Sequence, residues 1–163
     1  DSSSVNLRLQ AAASLGFIGP EAQGAVSALI AASHDKDIPM RMNSIGALAK
    51  IGGDPAVLVP VFTARLDDEF WDVRVWAATG LGKFGNQAES AVPKLLEELG
   101  KTDNEITVLV AVTKALETIG TTTNNAAPVL LKLFSHPNEG VRTCATNTLM
   151  RIDPTTAVQA QVK

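Results

Sequence analysis

The sequence predicts an all-α fold, a right-handed α-solenoid of about five helix pairs. A twelve-residue phrase recurs along the chain, and successive copies begin 33, 33, 35 and 33 positions apart. A fixed period of this length is typical of stacked helical repeats. The composition fits, since 45% of residues are hydrophobic but only 4% are aromatic, and small side chains allow close helix packing. The five copies begin at Arg8, Arg41, Arg74, Leu109 and Arg142.

Each copy of the phrase predicts one helix that ends near a glycine. In the third copy, Val73, Ala77, Leu81 and Phe84 form a single apolar stripe with helical spacing. A glycine follows the last apolar residue of three copies, where a left-handed residue ends a helix at low cost. These glycines are Gly52, Gly85 and Gly120. Asp153 takes that place in the final copy.

A second helix is predicted after each of these helix ends. In the third unit its apolar stripe includes Leu95, Leu96 and Leu99. Proline is tolerated in the first helical turn, so the recurring prolines predict an early position or a small kink. They are Pro60, Pro93 and Pro128. Polar turns follow, and their predicted N-cap residues are Asp37, Asp72, Asn104 and Asn138.

The units are predicted to form one domain over residues 1–163. Their approximate bounds are 5–36, 37–69, 70–103, 104–137 and 138–163, the last one truncated. We interpret the chain as a fragment of a longer array, because it begins with a polar stub and stops soon after a new helix starts. Such an array lacks polar end caps, so end-to-end self-association is expected. This interpretation favours a cytoplasmic location slightly and leaves an extracytoplasmic one open.

Composition disfavours several classes of partner and site. The net charge is −3, from 14 basic and 17 acidic residues, which argues against a nucleic-acid partner. No apolar run approaches the roughly 18 residues needed to span a bilayer, so no membrane partner is expected. Cys144 is the single cysteine, which excludes an intrachain disulfide and a site of several thiolates. His34 and His136 both fall in turns and are interpreted as turn residues, so no metal or cofactor is expected.

The repeated phrase resembles the short bacterial HEAT repeat, the type named after phycobilisome lyases. The clearest copy is DVRVWAATGLGKFG at residues 72–85, followed by AVPKLL at residues 91–96. The resemblance extends from about Asn6 to Asp153. It implies an armadillo-like helical fold whose second helices line a concave face. The period near 33 is shorter than the roughly 40–47 residues of larger HEAT units.

The resemblance also implies a row of ion pairs along the stack. In that family the arginine of each copy pairs with an acidic residue in a turn between units. We call the predicted set the arginine ladder; it comprises Arg8, Arg41, Arg74 and Arg142 with Asp35, Asp68 and Asp103. Leu109 interrupts it in the fourth copy. A row that binds anions is the alternative interpretation.

The predicted function is a non-catalytic scaffold for protein–protein interaction. Sequence motifs for nucleophilic catalysis are missing, since the chain has no G-x-S-x-G phrase and no histidine near Cys144 in sequence. The repeat type leaves a phycobilin lyase or isomerase acting on a tetrapyrrole as one alternative. A passive structural spacer is the other.

A partner protein or peptide is expected to bind the second helices. It would contact the outward side chains, those that do not belong to the buried apolar stripes. The predicted residues are Ala28, Ala31, Val57, Val61, Ala64, Lys94, Glu97, Glu98, Val129 and Lys132. Packing against the neighbouring unit is the alternative role for the small ones. Trp76 occupies a mixed position among the copies and is a further candidate, because an exposed tryptophan often anchors a partner. Trp71 is expected to act as a hydrophobic staple.

Overall fold

The computed structural model describes residues 2–101, 105–120 and 126–161. Within these residues all regular structure is helical, which confirms the predicted all-α solenoid. The α-helices are α1 (Ser2–Ile18), α2 (Val26–Ala32), α3 (Ile38–Ile51), α4 (Pro55–Arg65), α5 (Trp71–Lys83), α6 (Val92–Gly100), α7 (Ile106–Ile119), α8 (Ala126–Lys132), α9 (Glu139–Ile152) and α10 (Pro154–Gln161). Short 3-10 segments at Gly19–Ala25, Gly85–Ala91 and Leu133–Ser135 complete the description.

The helices alternate between two layers. The first helices, α1, α3, α5, α7 and α9, each contact the next one in the stack. The second helices α2, α4, α6 and α8 pack against the first helix of the following unit. Each unit therefore depends on its neighbour to bury its apolar surface, which is the physical basis of a solenoid.

The core runs along the stack between the two layers. It consists mostly of Leu, Val, Ile and Ala side chains, as the low aromatic content requires. Phe62 on α4 is a fully buried exception, and its ring centroid lies 6.2 Å from that of Phe84. It fits because α5 carries Gly80 opposite the ring, where an added Cβ would lie 2.6 Å from the Phe62 Cζ. Small residues thus set how closely the layers approach.

Left-handed glycines end the first helices as predicted. Gly52 follows α3 with φ 71° and Gly120 follows α7 with φ 74°. Gly85 has φ 53° and leads into a 3-10 segment before α6 begins. Asp153 ends α9 with an extended φ of −149°, so this end needs no glycine.

Two details of the second helices and caps differ from the predictions. Pro60 lies inside α4, because this helix begins earlier, at Pro55, with Asp54 accepting a hydrogen bond from the Ala56 N–H. Asp72 is not an N-cap, since α5 begins at Trp71 with Phe70 as its N-cap residue. Asp37 is the N-cap residue of α3 but makes no side-chain cap bond. Asn138 is the N-cap residue of α9, and its side chain accepts a hydrogen bond from the Val141 N–H. Asn104 lies outside the described residues.

One stretch of the described chain, Ser4–Ala32, is long and apolar enough to cross a membrane by length and composition alone. It is not one continuous helix. Gly19 has φ 74° and Ala22 is non-helical, so the stretch divides into α1, a 3-10 segment and α2. All three parts contact α3. Only 22% of the most apolar window of this stretch is buried, and Leu7, Phe17 and Ile18 remain exposed.

Candidate interaction surfaces

The first half of the predicted second-helix row lies on the surface. Ala28 and Ala31 on α2 are exposed, as are Val57 and Ala64 on α4. Val57 keeps 47% of its surface, a large fraction for a branched apolar side chain. Val61 is half-buried. This part of the row therefore presents small apolar groups to solvent.

The next part of the row is charged, and its charges are paired with each other. The Lys94 Nζ lies 2.7 Å from the Asp67 Oδ1 and 2.9 Å from the Glu97 Oε1. Hydrogen bonding to Lys94 lowers the pKa of Asp67, and hydrogen bonding to Asp67 raises the pKa of Lys94. These contacts join α6 to the turn that precedes α5, so this part of the surface is locally neutralised.

Glu98 does not lie on this surface, contrary to the prediction. Its side chain is completely buried on α6 and pairs with Lys101 and with Arg74, whose Nε lies 3.6 Å from the Glu98 Oε2. The physical reason is its position three residues after the buried Leu95, which places both on one face of the helix. The neighbouring cations allow this face to bury a carboxylate.

The last part of the row lies beside a cavity between α6, α7 and α8. Val129 is half-buried and Lys132 is exposed. Both line this space of about 320 Å³ together with Leu99 and Leu109. The second-helix row, defined as the predicted set without Glu98, therefore continues onto the fourth unit.

The second turn holds the most buried part of the arginine ladder. We call Arg41, Arg65, Asp68 and Glu69 the Arg41 cluster. The guanidinium of Arg41 donates to both Asp68 carboxylate oxygens, at 2.8 and 3.0 Å, and to Glu69 at 3.0 Å. Only 9% of the Arg41 side chain and 3% of the Asp68 side chain are exposed. Hydrogen bonding to Asp68 raises the pKa of Arg41.

The third turn uses a different acid. We call Arg74, Glu98 and Lys101 the Arg74 cluster. Arg74 pairs with the helical Glu98, whereas the ladder prediction assigned the turn residue Asp103, which lies outside the described residues. Lys101 pairs with Glu98 as well and lies 3.5 Å from Asp67. A helix thus contributes the carboxylate that a turn provides in the Arg41 cluster.

A feature common to three arginines was missed at the sequence level. Each donates from Nη1 to the backbone carbonyls five and six residues before it. Arg41 bonds to Asp35 and Lys36 at 3.1 and 3.2 Å, and Arg74 bonds to Asp68 and Glu69 at 2.8 and 3.3 Å. Arg142 bonds in the same way to His136 and Pro137. The arginine therefore closes its own preceding turn, and the fixed spacing of arginine and turn is the signal that predicts it.

The first pair of the ladder is exposed. The Arg8 Nη1 lies 3.2 Å from the Asp35 Oδ2, with 56% of the Arg8 side chain in solvent. The pKa of Asp35 is lowered, mainly because it accepts a hydrogen bond from the Asp37 N–H.

His136 plays the predicted turn role, since its Nδ1 accepts a hydrogen bond from the Asn138 N–H. Among the described residues no group of three His, Cys, Asp or Glu side chains is placed to bind a metal ion.

Trp76 lies away from the second-helix row, on the first helix α5. It is half-buried against α3, where a Cβ added at Gly46 would lie 3.3 Å from its Cε2. The Lys50 Nζ lies 5.3 Å from the centre of its ring and 4.9 Å from the centre of the Phe17 ring. Trp71 is the first residue of α5 and 36% exposed, and its staple contact remains a prediction.

A groove between α5 and α7 was not predicted from the sequence. It has a volume of about 440 Å³ and a largely apolar lining. Its lining residues are Ala78, Thr79, Gly82, Lys83, Ala111, Lys114, Ala115 and Thr118. The signal for it is the small residue Ala111 at the position that Trp76 occupies one unit earlier.

Comparisons with known proteins support the repeat class. A family model described as HEAT repeats matches residues 59–130. An engineered protein solved by the Northeast Structural Genomics Consortium superposes with a TM-score of 0.72 at 23% identity, covering 94% of this chain and 77% of that one. A designed armadillo repeat protein in complex with the peptide (KR)4 gives 0.72 at 18% identity, covering 98% and 84%. No curated protein sequence matches. The family match thus covers the central part of the chain, and the solved structures show that the fold is an all-α repeat solenoid.

Proposed function

We propose that this chain is a non-catalytic scaffold whose second-helix row binds a peptide or an extended segment of a partner protein. The observation that carries this proposal is the exposure of small apolar side chains on consecutive second helices. Ala28 and Ala31 on α2 and Val57 and Ala64 on α4 all reach solvent. Exposed apolar groups arranged along a row provide contact area that a partner can cover.

The charged part of the row contributes less to affinity than the apolar part. Lys94 is already bound to Asp67 and Glu97, and a partner carboxylate would have to displace them. Exposed ion pairs give only about 0–1 kcal/mol, so exchanging one for another brings little gain. The binding energy is therefore centred on α2 and α4, and the charged residues orient the partner.

One solved structure of similar fold supports a peptide as the partner. The designed armadillo repeat protein of similar fold forms a complex with the peptide (KR)4. A repeat stack can offer an extended chain one similar contact surface per unit. We also propose that the repeats are of the phycobilisome-lyase type and of bacterial origin, on the strength of the phrase at residues 72–85.

The test is a selection of peptides from a random displayed library on the immobilised chain, followed by affinity measurement in solution. The decisive variant carries Val57→Arg and Ala64→Arg, which place two charges on the apolar part of the row. We expect it to bind the selected peptides at least about tenfold more weakly, a loss of about 1.4 kcal/mol. The (KR)4 peptide serves as a defined probe beside the selected ones.

The matched control is Ile106→Arg. Ile106 lies at the start of the first helix α7 and is 44% exposed, close to the 47% of Val57. It should leave the affinity unchanged. Equal affinity of the wild type and the row variant for the selected peptides would show that the peptides bind outside the second-helix row, which would contradict the proposal. Failure to select any peptide would favour the spacer alternative, and retention of bilin absorbance by the purified chain would favour the lyase alternative.

A further inference from the structure

The groove between α5 and α7 has a filled counterpart in the preceding unit. By the repeat spacing, Ala111 corresponds to Trp76, Thr79 to Gly46 and Lys83 to Lys50. Between α3 and α5 the indole of Trp76 lies against Gly46 with the Lys50 ammonium over its ring. Between α5 and α7 the alanine leaves that space open. One unit away, the corresponding position therefore holds an aromatic ring beside a lysine, with Gly46 where this groove carries Thr79.

The cations at this groove match a specific kind of ligand. Lys83 takes the place of Lys50 at the end of its helix, and Lys114 stands on the facing helix α7. Within the described residues neither ammonium group has an ion-pair partner. An ammonium over an aromatic face is attracted by the negative charge density on that face of the ring. The second ammonium group can bind a carboxylate, an interaction that strengthens as salt is lowered.

We propose that this groove binds an aromatic side chain of a partner protein that is flanked by acidic residues. One face of the ring would lie on the apolar floor formed by Ala78, Gly82 and Ala115, with the Lys83 ammonium over the other face, as Lys50 lies over Trp76. Lys114 would bind an adjacent carboxylate. The volume of about 440 Å³ falls within the range of about 300–1,000 Å³ typical of ligand pockets. The site lies on first helices, so it stands independently of the second-helix row.

The experiment uses a fluorescently labelled peptide of sequence Asp-Glu-Trp-Glu-Asp, with blocked ends, in an anisotropy titration at low salt. Two further peptides test the components: one has Ala in place of Trp, and one has Lys in place of the acidic residues. We expect the Trp-containing acidic peptide to bind at least about fivefold more tightly than either, corresponding to about 1 kcal/mol. Equal binding of the Ala peptide, or no binding at millimolar concentration, would overturn the proposal.

The decisive variant fills the groove from within the chain. Ala111→Trp combined with Thr79→Gly reproduces the Trp76–Gly46 arrangement, and it should reduce peptide affinity at least about tenfold. Far-UV circular dichroism checks that this variant folds. If it does not, Lys114→Glu decides the question by itself, because it should weaken the acidic peptide and strengthen the basic one.

The charge control is Lys36→Glu, which makes the same charge change at an exposed position in the turn after α2. It should leave the affinity for the acidic peptide unchanged. An equal loss in Lys36→Glu and Lys114→Glu would show attraction to overall charge and would overturn the site. The Val57→Arg and Ala64→Arg variant should bind this peptide normally, which separates this proposal from that for the second-helix row.

Discussion

The Arg41 and Arg74 clusters do the same structural task with opposite arrangements of charge. In the Arg41 cluster, the Nη1 of Arg65 on α4 lies 3.8 Å from the Oδ2 of the turn residue Asp68. In the second, the corresponding positions hold Glu98 on α6 and Lys101 in the turn, so the signs are reversed. In both, the ladder arginine pairs with the carboxylate, whichever element provides it.

This comparison shows which property the two clusters share. A buried carboxylate is costly unless a cation and hydrogen bonds compensate for its lost hydration. Asp68 is compensated by Arg41 and Arg65, and Glu98 by Arg74 and Lys101. In both clusters a neutralised carboxylate therefore lies beside the ladder arginine, although a different segment supplies it.

The largest effect is expected for Glu98→Ala. This change removes the completely buried carboxylate and leaves Arg74 and Lys101 facing each other. Removing one partner of a buried pair costs about 3–5 kcal/mol, so we expect a loss of about 3 kcal/mol in the free energy of unfolding measured with urea. The control is Glu97→Ala on the exposed side of the same helix, with a change within about 0.5 kcal/mol. Similar losses in both variants would show that Glu98 is not the centre of its cluster.

A smaller loss is expected for Arg41→Ala. It removes the bidentate bond to Asp68 and the bonds to the carbonyls of Asp35 and Lys36. Arg65 remains near Asp68 and compensates part of its charge, so we expect about 2 kcal/mol rather than the upper end of the range for buried pairs. Arg8→Ala, at an exposed pair, should cost less than about 0.5 kcal/mol in the same urea titration. An Arg8→Ala loss as large as that of Arg41→Ala would contradict the role assigned to burial.

The reversal of charge can itself be tested by a double-mutant cycle. Arg65→Glu together with Asp68→Lys copies the Arg74 cluster into the second turn. Each single change places two like charges in one partly buried cluster, whereas the double change restores a cation beside a carboxylate. We expect a favourable coupling of about 1–2 kcal/mol between the two positions. Additive losses would mean that the backbone of each turn accepts only its own arrangement.

The smallest effect concerns the exposed contact between Asp67 and Lys94. The pKa of Asp67 is lowered by Lys94, so its contribution to stability is present above the ordinary value of about 4 and is lost as the pH falls through the lowered value. More than half of the Asp67 side chain is in solvent, which limits the effect to below about 0.5 kcal/mol. Asp67→Asn should reduce the loss of unfolding free energy between neutral and acidic pH by that amount. Raised salt should reduce the difference between the wild type and this variant. A larger change would indicate a more buried contact.

The repeat pattern in the sequence was sufficient to predict the architecture. The period near 33, the apolar stripes and the glycines at Gly52 and Gly120 predicted stacked helices with left-handed ends, and the structure has them. These features are local or periodic, so they depend on neighbours a few residues away. The start of α4 was predicted less well, because Asp54 caps the helix ahead of Pro60 and the prolines alone suggested a later beginning.

The two candidate surfaces differ in how much of each could be predicted from the sequence. Exposure of Ala28, Ala31 and Val57 followed from subtracting the buried stripe of each second helix. The same subtraction failed for Glu98, because a charged residue next to an apolar stripe was assigned to solvent. The groove beside Ala111 was also missed, since an alanine alone does not indicate what lies across from it.

The sequence by itself determined the repeat length, the all-helical fold and the positions where first helices end, because each follows from spacing along the chain. Only the tertiary structure decided that Glu98 joins the buried side of α6, which acid pairs with Arg74 and where a groove remains open. Those outcomes depend on close approaches between residues about 24 to 33 positions apart in sequence, as between Arg74 and Glu98 or between Gly82 and Ala115. The relative rotation and approach of neighbouring helices set these contacts, and they follow from the combined packing of both helices.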